Sequence, residues 1–442
     1  MVQVPGSPRR LARRLRVRLR AQRRWWRTQW RREAPGEVLF PPDGRGMVAI
    51  ETLAGAGGGG PRIAILHATA GSGHKRAAQA IAAAVAALAP GATVREVDTL
   101  VFASRLYRRT YAATYNTMAA RAPALWGALY HSAALDPVYR GTTPMRLAMD
   151  RLNLRRLVRV VERENPDAVV CTHFLPVEAL APLRERGRLR VPLHCVITDF
   201  TAHPFWAFPH VDQYFVATQR VAGELAGHGV ARERIAVTGI PIDPRFAHPL
   251  ARDQARARFG LDPQRPFVLV MGGGSGVGPL AAVAERLAAL ALAPQVLVVC
   301  GTNARLRDEI DHLPAGRTGR IRTLGFTHDV DVLLAACDVV VSKAGGLTCA
   351  EALVKRAPLV IFKPTPGQEV ANAEYLVDAG AAVHADSSDE VATLVSGWLS
   401  DPSARERVRE VDGRLGAPHA ARDIATRVLS GIRVAGGARL AG

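Results

Sequence analysis

The amino-acid sequence predicts an α/β protein built from two doubly wound, Rossmann-like domains that face each other across a cleft. Three observations point there. From Arg62 onward, short apolar runs alternate with helical stretches, the pattern of parallel sheets covered by helices on both faces. That alternation breaks once, at "TGIPIDPRF" (238–246), where clustered turn formers mark a hinge, and then resumes. Each glycine-rich segment of the alternating region follows an apolar run, which puts it beyond the carboxyl end of a strand, where open α/β sheets bind ligands.

Residues 1–60 read as an arm and a linker. The stretch "RRLARRLRVRLRAQRRWWRTQWRR" (9–32) holds twelve arginines, three tryptophans and no acidic residue; a Pro/Gly-rich linker follows, ending in "AGAGGGGPR". The net charge of +19 belongs largely to this arm, because the rest of the chain sets 46 basic against 39 acidic side chains. Arginine with tryptophan suits an anionic membrane surface; a nucleic-acid contact and a solvated basic tail are the alternatives. No helix-turn-helix, RNA-recognition or zinc motif accompanies the arm, so no nucleic-acid partner is expected.

Residues 61–247 form the predicted N-terminal domain, with strands at "RIAILH", "ATVREV", "DAVVC", "PLHCVIT", "DQYFVA" and "RIAVT". Residues 248–401 form the second, with strands at "PFVLVM", "QVLVVC", "RIRTL", "DVVVS", "APLVIF" and "AAVHA". Residues 402–442 read as helices that are candidates to pack back across the hinge. No apolar stretch reaches 18 residues and no signal-peptide core is present, so no spanning segment is expected. The five cysteines make no C-x-x-C pair and read as reduced thiols of a cytosolic core.

The segment "LHATAGSGHKRAAQAI" (66–81) runs from strand through glycine loop into helix, a place where free N–H groups and the helix dipole favour an anion. It fits neither common nucleotide loop. A Walker loop needs Gly-Lys-Ser/Thr, but Lys75 lies between His74 and Arg76; the dinucleotide fingerprint needs a small residue where Arg76 sits. His74 is left as a candidate base or a loop-capping histidine. In the second half, "GGGSGVG" (272–278) reads as a phosphate cradle or a tight turn. "SKAGGLTCAE" (342–351) repeats that plan and adds Glu351, suited to ribose hydroxyls or merely favoured by the helix dipole. "KPTPGQEVANAEYL" (363–376) groups Gln368, Glu369 and Asn372 at a helix start, as sugar ligands or as caps. Three such segments in one sheet favour a nucleotide-sugar over a lone phosphate.

These segments, with "VITDFTAHPFW", "VTGIPIDPRF" and "LGF", occur in an order that resembles the monogalactosyldiacylglycerol synthase and processive diacylglycerol glucosyltransferase family. The resemblance spans roughly residues 62–400. It implies the GT-B fold and an inverting, family 28-like hexosyltransferase using a UDP-hexose donor, with no further cofactor and no metal. It implies Phe326, after Gly325, against the uracil, and Glu351 on the ribose. Gly274, Ser275, Gly345, Gly346 and Thr348 would surround the diphosphate, and Gln368 with Glu369 the hexose, with Gly273, Ser342, Gly367 and Asn372 also among the nucleotide-sugar-binding residues. His74 matches the proposed catalytic base, with Asp98 or Asp199 as candidates to orient it. Gly73, Asp199, His203, Phe205 and Trp206 fall on the acceptor side.

The implied acceptor is the free hydroxyl of diacylglycerol, reached by a peripheral enzyme at the cytoplasmic face of the membrane. The aromatic and basic segments "RLYRRTYAATYN" and "APALWGALYHSA" within 99–150 suit a membrane interface or a helical insertion. A polyprenyl-linked peptidoglycan precursor is the alternative acceptor, disfavoured by "PGQE".

Overall fold

The computed structural model describes residues 50–54, 60–69, 72–104, 107–108 and 136–440. The arginine arm and the aromatic segment 109–135 lie outside them. In chain order the first domain runs β1 (Ile50–Ala54), β2 (Arg62–His67), α1 (Ser72–Leu88), β3 (Thr93–Asp98), α2 (Asp136–Asn153) and α3 (Arg155–Glu164). It continues through β4 (Ala168–Cys171), α4 (Phe174–Glu185), β5 (Leu193–Val196), β6 (Gln213–Val216), α5 (Gln219–Gly227) and β7 (Ile235–Val237). The second domain contains α6 (Arg252–Arg258), β8 (Phe267–Met271), α7 (Leu280–Ala288), β9 (Gln295–Val299), α8 (Ala304–His312) and α9 (Pro314–Arg317). Then come β10 (Ile321–Leu324), α10 (Val330–Ala336), β11 (Val339–Ser342), α11 (Gly346–Lys355), β12 (Leu359–Phe362), α12 (Gln368–Asp378) and β13 (Ala382–Ala385). Three helices end the chain: α13 (Ser388–Ser400), α14 (Pro402–Leu415) and α15 (Ala420–Leu440).

The first sheet has the order β1-β3-β2-β4-β5-β6-β7, parallel except for β1, and the second is the fully parallel β10-β9-β8-β11-β12-β13. Each reverses direction once, between β2 and β4 and between β8 and β11. Adjacent strands at such a reversal send their connections to opposite faces, opening a crevice at their carboxyl ends. Both central strands, "IAIL" and "FVLVM", are buried throughout, as strands covered on both faces must be.

Residues 50–54, expected from composition to lie in the linker, form the edge strand β1, with Ile50 opposite Val97 and Glu51 opposite Glu96. Five residues between glycine-rich stretches carry too little pattern to stand out; the exposed edge of β3 supplies the pairing. At the other end, α15 packs on α1, where Ile424, Val428 and Leu429 join Ile81 and Val85 in one core. Each such apolar side chain contributes about 1.5–3 kcal/mol by leaving water, so the final helix closes the N-terminal sheet. Apolar packing also crosses the cleft, because Ala77 and Phe200 of the first domain belong to a core cluster of the second. All five cysteines are free and buried.

Candidate functional site

Helix α1 forms readily, since eight of its seventeen residues are alanine, the best helix former. It starts just after β2, so its first turn projects His74 into the first crevice. His74 Nδ1 lies 2.6 Å from the carbonyl oxygen of Thr172, the residue following β4 across the sheet reversal. A carbonyl only accepts, so Nδ1 carries the proton and Nε2 keeps its lone pair. Thr172 Oγ1 donates back to the His74 carbonyl at 2.9 Å, and Thr198 Oγ1 sits 3.2 Å from Nδ1. Burial lowers the His74 pKa to about 4, partly opposed by the Thr172 hydrogen bond. The ring is therefore neutral, fixed in one tautomer and able to accept a proton.

Neither aspartate suggested by the sequence orients this ring. Asp98 is occupied by Thr69 Oγ1 at 2.5 Å and by the Leu100 amide at 3.0 Å. Asp199 accepts from Asn372 Nδ2 at 2.9 Å, and burial pushes it up to about 6. A backbone carbonyl does the work instead, which side-chain patterns cannot reveal.

Aromatic groups enclose His74. The His173 ring meets it edge-on at 4.6 Å between centroids, and Trp206 lies 6.4 Å away. His203 caps the short turn Pro204–Trp206 by accepting from the Phe205 amide at 3.3 Å, and its ring lies 4.2 Å from that of Phe205. Phe205 in turn carries the Arg146 guanidinium of α2, 4.4 Å above its ring. The His203, Phe205 and Trp206 rings thus form one aromatic wall beside His74.

The second crevice holds the C-terminal segments. The loop after β8 contains Gly273, Gly274 and the exposed Ser275. Lys343, just past β11, packs beside it: a β-carbon at Gly273 would be 3.5 Å from Lys343 Cε. Lys343 Nζ reaches Glu369 Oε1 at 2.7 Å, while Glu369 Oε2 accepts from the Thr365 amide at 2.7 Å. Glu369 therefore braces the loop before α12 and holds the lysine. Gly367 begins that helix at φ 100° and ψ −123°, a conformation essentially confined to glycine, so its requirement is conformational. Gln368 beside it is half-buried. Ser342 Oγ is buried without a hydrogen-bond partner, and Thr348 lies half-buried in the first turn of α11. Past Gly325, the Phe326 ring is 58% exposed and stands edge-on to His328 at 5.1 Å.

Close contacts bring the two crevices together. A β-carbon at Gly274 would lie 3.1 Å from Ser72 Oγ, and one at Gly73 would lie 3.8 Å from Leu347 Cδ1. At Gly346 it would fall 2.0 Å from the Thr198 carbonyl oxygen, so only glycine lets α11 approach the first domain. Gly345 flanks this contact, with Glu369 Oε1 3.7 Å from the equivalent point. The Phe200 and Tyr375 rings stack at 5.3 Å. Asn372, expected as a sugar ligand or a helix cap, has other partners. Its Oδ1 accepts from the Phe200 amide at 2.8 Å, and its Nδ2 donates to Asp199 at 2.9 Å and to the Ala344 carbonyl at 3.1 Å. Fully buried, it clamps the domains together. Glu351 is likewise buried and pairs with Arg76 of α1 at 3.1 Å.

Thr172, His173, Arg76 and Lys343 were not among the expected site residues. A signal existed for the first two, because "TH" directly follows the "AVVC" strand, and strand ends at a sheet reversal are where sites form. Knowing that β4 lies beside β2 requires the folded sheet.

A family model described as monogalactosyldiacylglycerol (MGDG) synthase matches residues 74–242, and the glycosyltransferase family 28 C-terminal domain matches residues 267–427. A curated processive diacylglycerol beta-glucosyltransferase of Bacillus licheniformis is 33% identical over 253 residues, covering 57% of this chain and 65% of that protein. Its counterpart from Bacillus pumilus is 30% identical over 276 residues, covering 62% of this chain and 71% of that protein. The crystal structure of Acinetobacter baumannii MurG is similar in fold, with a TM-score of 0.54 at 15% identity, covering 84% of this chain and 100% of that one. The two domains thus have the GT-B arrangement. By these matches across both halves, the chain belongs to the monogalactosyldiacylglycerol synthase family of glycosyltransferases.

Proposed function

We propose that the protein is an inverting glycosyltransferase that moves a hexose from a UDP-hexose to the free hydroxyl of diacylglycerol, forming a β-glycosyldiacylglycerol. The observation that carries this reading is His74, locked by the Thr172 carbonyl at 2.6 Å, on the acceptor side of a cleft whose other wall holds the glycine loop, Lys343 and α11. Inversion needs one in-line attack by a deprotonating hydroxyl. His74 Nε2 accepts that proton as the oxygen bonds to the anomeric carbon, and the anomeric C–O bond to UDP breaks. Loop amides, the N-terminus of α11 and the Lys343 ammonium then face the negative charge of the departing diphosphate. Phe326 offers an exposed ring for the uracil, and Gln368 a polar group for the hexose. Stabilisation of this kind makes no use of a metal ion. The names of the curated relatives support diacylglycerol as acceptor.

Access to a lipid is supported by α2, which exposes Met145, Met149 and Leu152 at 68%, 53% and 59% and reaches the aromatic wall through Arg146. Among the described residues no helix is long and apolar enough to cross a membrane. A peripheral position on an anionic, cytoplasm-facing lipid surface, with the arginine arm as a second contact, completes the proposal. The deciding experiment incubates the enzyme with diacylglycerol vesicles and labelled UDP-glucose or UDP-galactose in parallel, then separates lipids by chromatography. Labelled glycosyldiacylglycerol from either donor supports the reading. Absence of labelled glycosyldiacylglycerol with both donors would overturn it.

A further inference from the structure

The Arg76–Glu351 pair joins the two domains where the proposed nucleotide lies. Arg76 Nη2 stands 3.1 Å from Glu351 Oε1; the carboxylate is 3% exposed and the guanidinium 39%. Both line a cleft cavity together with Gln79, Asp243 and Leu347. Arg76 reaches this cavity from the face of α1 turned away from His74, being two residues further along the helix. It is therefore placed to serve the donor rather than the acceptor.

The charges around Glu351 are unequal. Asp243, in the interdomain connection, and Asp331, on α10, both oppose its ionisation, whereas Arg76 favours it. On α14, Asp412 faces Arg356 and Arg409 instead. Burial is the largest influence and raises Glu351 to about 7. An ionised carboxylate accepts from both hydroxyls of a ribose diol, whereas a protonated one must spend an oxygen as donor. A glutamate in these surroundings needs a cation to remain a two-fold acceptor.

We propose that Arg76 is a positioning residue for the donor nucleotide: reaching across from the acceptor domain, it aims the Glu351 carboxylate at the two ribose hydroxyls and ties their recognition to closure of the cleft. This rests on the reading of Glu351 as the ribose ligand. It gives Arg76 a role that neither nucleotide-loop template assigns to its position, and it makes donor affinity depend on both domains. Lysine at this position would keep the charge but not the planar guanidinium, so Arg76→Lys should be intermediate.

The test is calorimetric titration of the full chain with UDP and with 2′-deoxy-UDP, which lacks one of the two hydroxyls. The parent should prefer UDP by about tenfold, the value of one hydrogen bond to a charged group. In Arg76→Gln that preference should shrink towards unity at pH 7 and recover in part at pH 9, as Glu351 ionises without help. Arg76→Lys should retain part of it at pH 7. The ratio of the two nucleotides cancels titration of their phosphates. Equal weakening of both in Arg76→Gln would mean that Arg76 touches phosphate, and an unchanged ratio would mean that it does nothing for the ribose; either result overturns the proposal. Glu351→Gln separates this from the underlying reading. If that variant keeps the parental ratio, Glu351 is not the ribose ligand. If it loses the ratio while Arg76→Gln keeps it, only the role of Arg76 fails.

Discussion

Replacing Asn372 by alanine distinguishes a hexose ligand from a domain clamp. Three hydrogen bonds of 2.8, 2.9 and 3.1 Å would be lost, and the Phe200 amide and the Ala344 carbonyl would be stranded where water has little access. Each unpaired buried group costs about 1–3 kcal/mol, so the variant should be destabilised by about 2–6 kcal/mol, with the domain contact taking the loss. Asn372→Asp should behave differently with pH. Above pH 6 it sets a second carboxylate against Asp199, whose pKa burial raises to about 6. Below that, one shared proton can bridge the two oxygens. The aspartate variant should therefore gain stability relative to the alanine variant as pH falls from 7 to 5. Thermal unfolding followed by circular dichroism, together with titration by UDP and UDP-hexose, reads both quantities. An alanine variant that unfolds at the parental midpoint yet no longer prefers UDP-hexose over UDP would refute the clamp and restore Asn372 to the sugar site.

His74→Ala should lower turnover by about 10²–10⁴ while leaving UDP affinity intact, as loss of a general base does; a near-parental rate would remove His74 from that role. Because its folded pKa is about 4 rather than 6.5, the ring stays basic as the medium acidifies, and kcat/KM should remain flat through pH 6.5. Stability should not: His74 and His194, both held near 4 by burial, bind fewer protons folded than unfolded between pH 4 and 6.5. Stability is thus complete above pH 6.5 and falls by about 1.4 kcal/mol per unit and group on the way down to 4, measurable by denaturant titration. Lys343→Met should reduce kcat by about 10² with a smaller change in KM for the donor, since its charge matters most as the diphosphate departs. Chelators should leave the parental rate unchanged in the same assay. Deleting residues 1–45 should weaken sedimentation with anionic vesicles and raise KM for vesicle-borne acceptor, with little change for acceptor in detergent. Equal vesicle binding by the shortened chain would leave the apolar face of α2 as the anchor.

The sequence by itself determined the two parallel-sheet domains, because strands buried on both faces must be continuously apolar and "RIAILH" or "PFVLVM" leave no other reading. It also marked the glycine loops between strand and helix as candidate anion sites, and it singled out His74 as a histidine that no nucleotide loop requires. What surrounds these groups was decided by tertiary structure alone. The partner of His74 is a carbonyl 98 residues away in sequence, and carbonyls are common to every residue, so no pattern of side chains marks one. Asn372 and Glu351 look like ligands in their own segment because polar residues at helix starts serve ligands and caps alike. Asn372 became a clamp, and Glu351 gained a cationic partner, only when α12 and α11 met Phe200 and Arg76 of the other domain. The edge strand at residues 50–54 exists for a similar reason: five residues cannot specify a strand, but the open edge of β3 can.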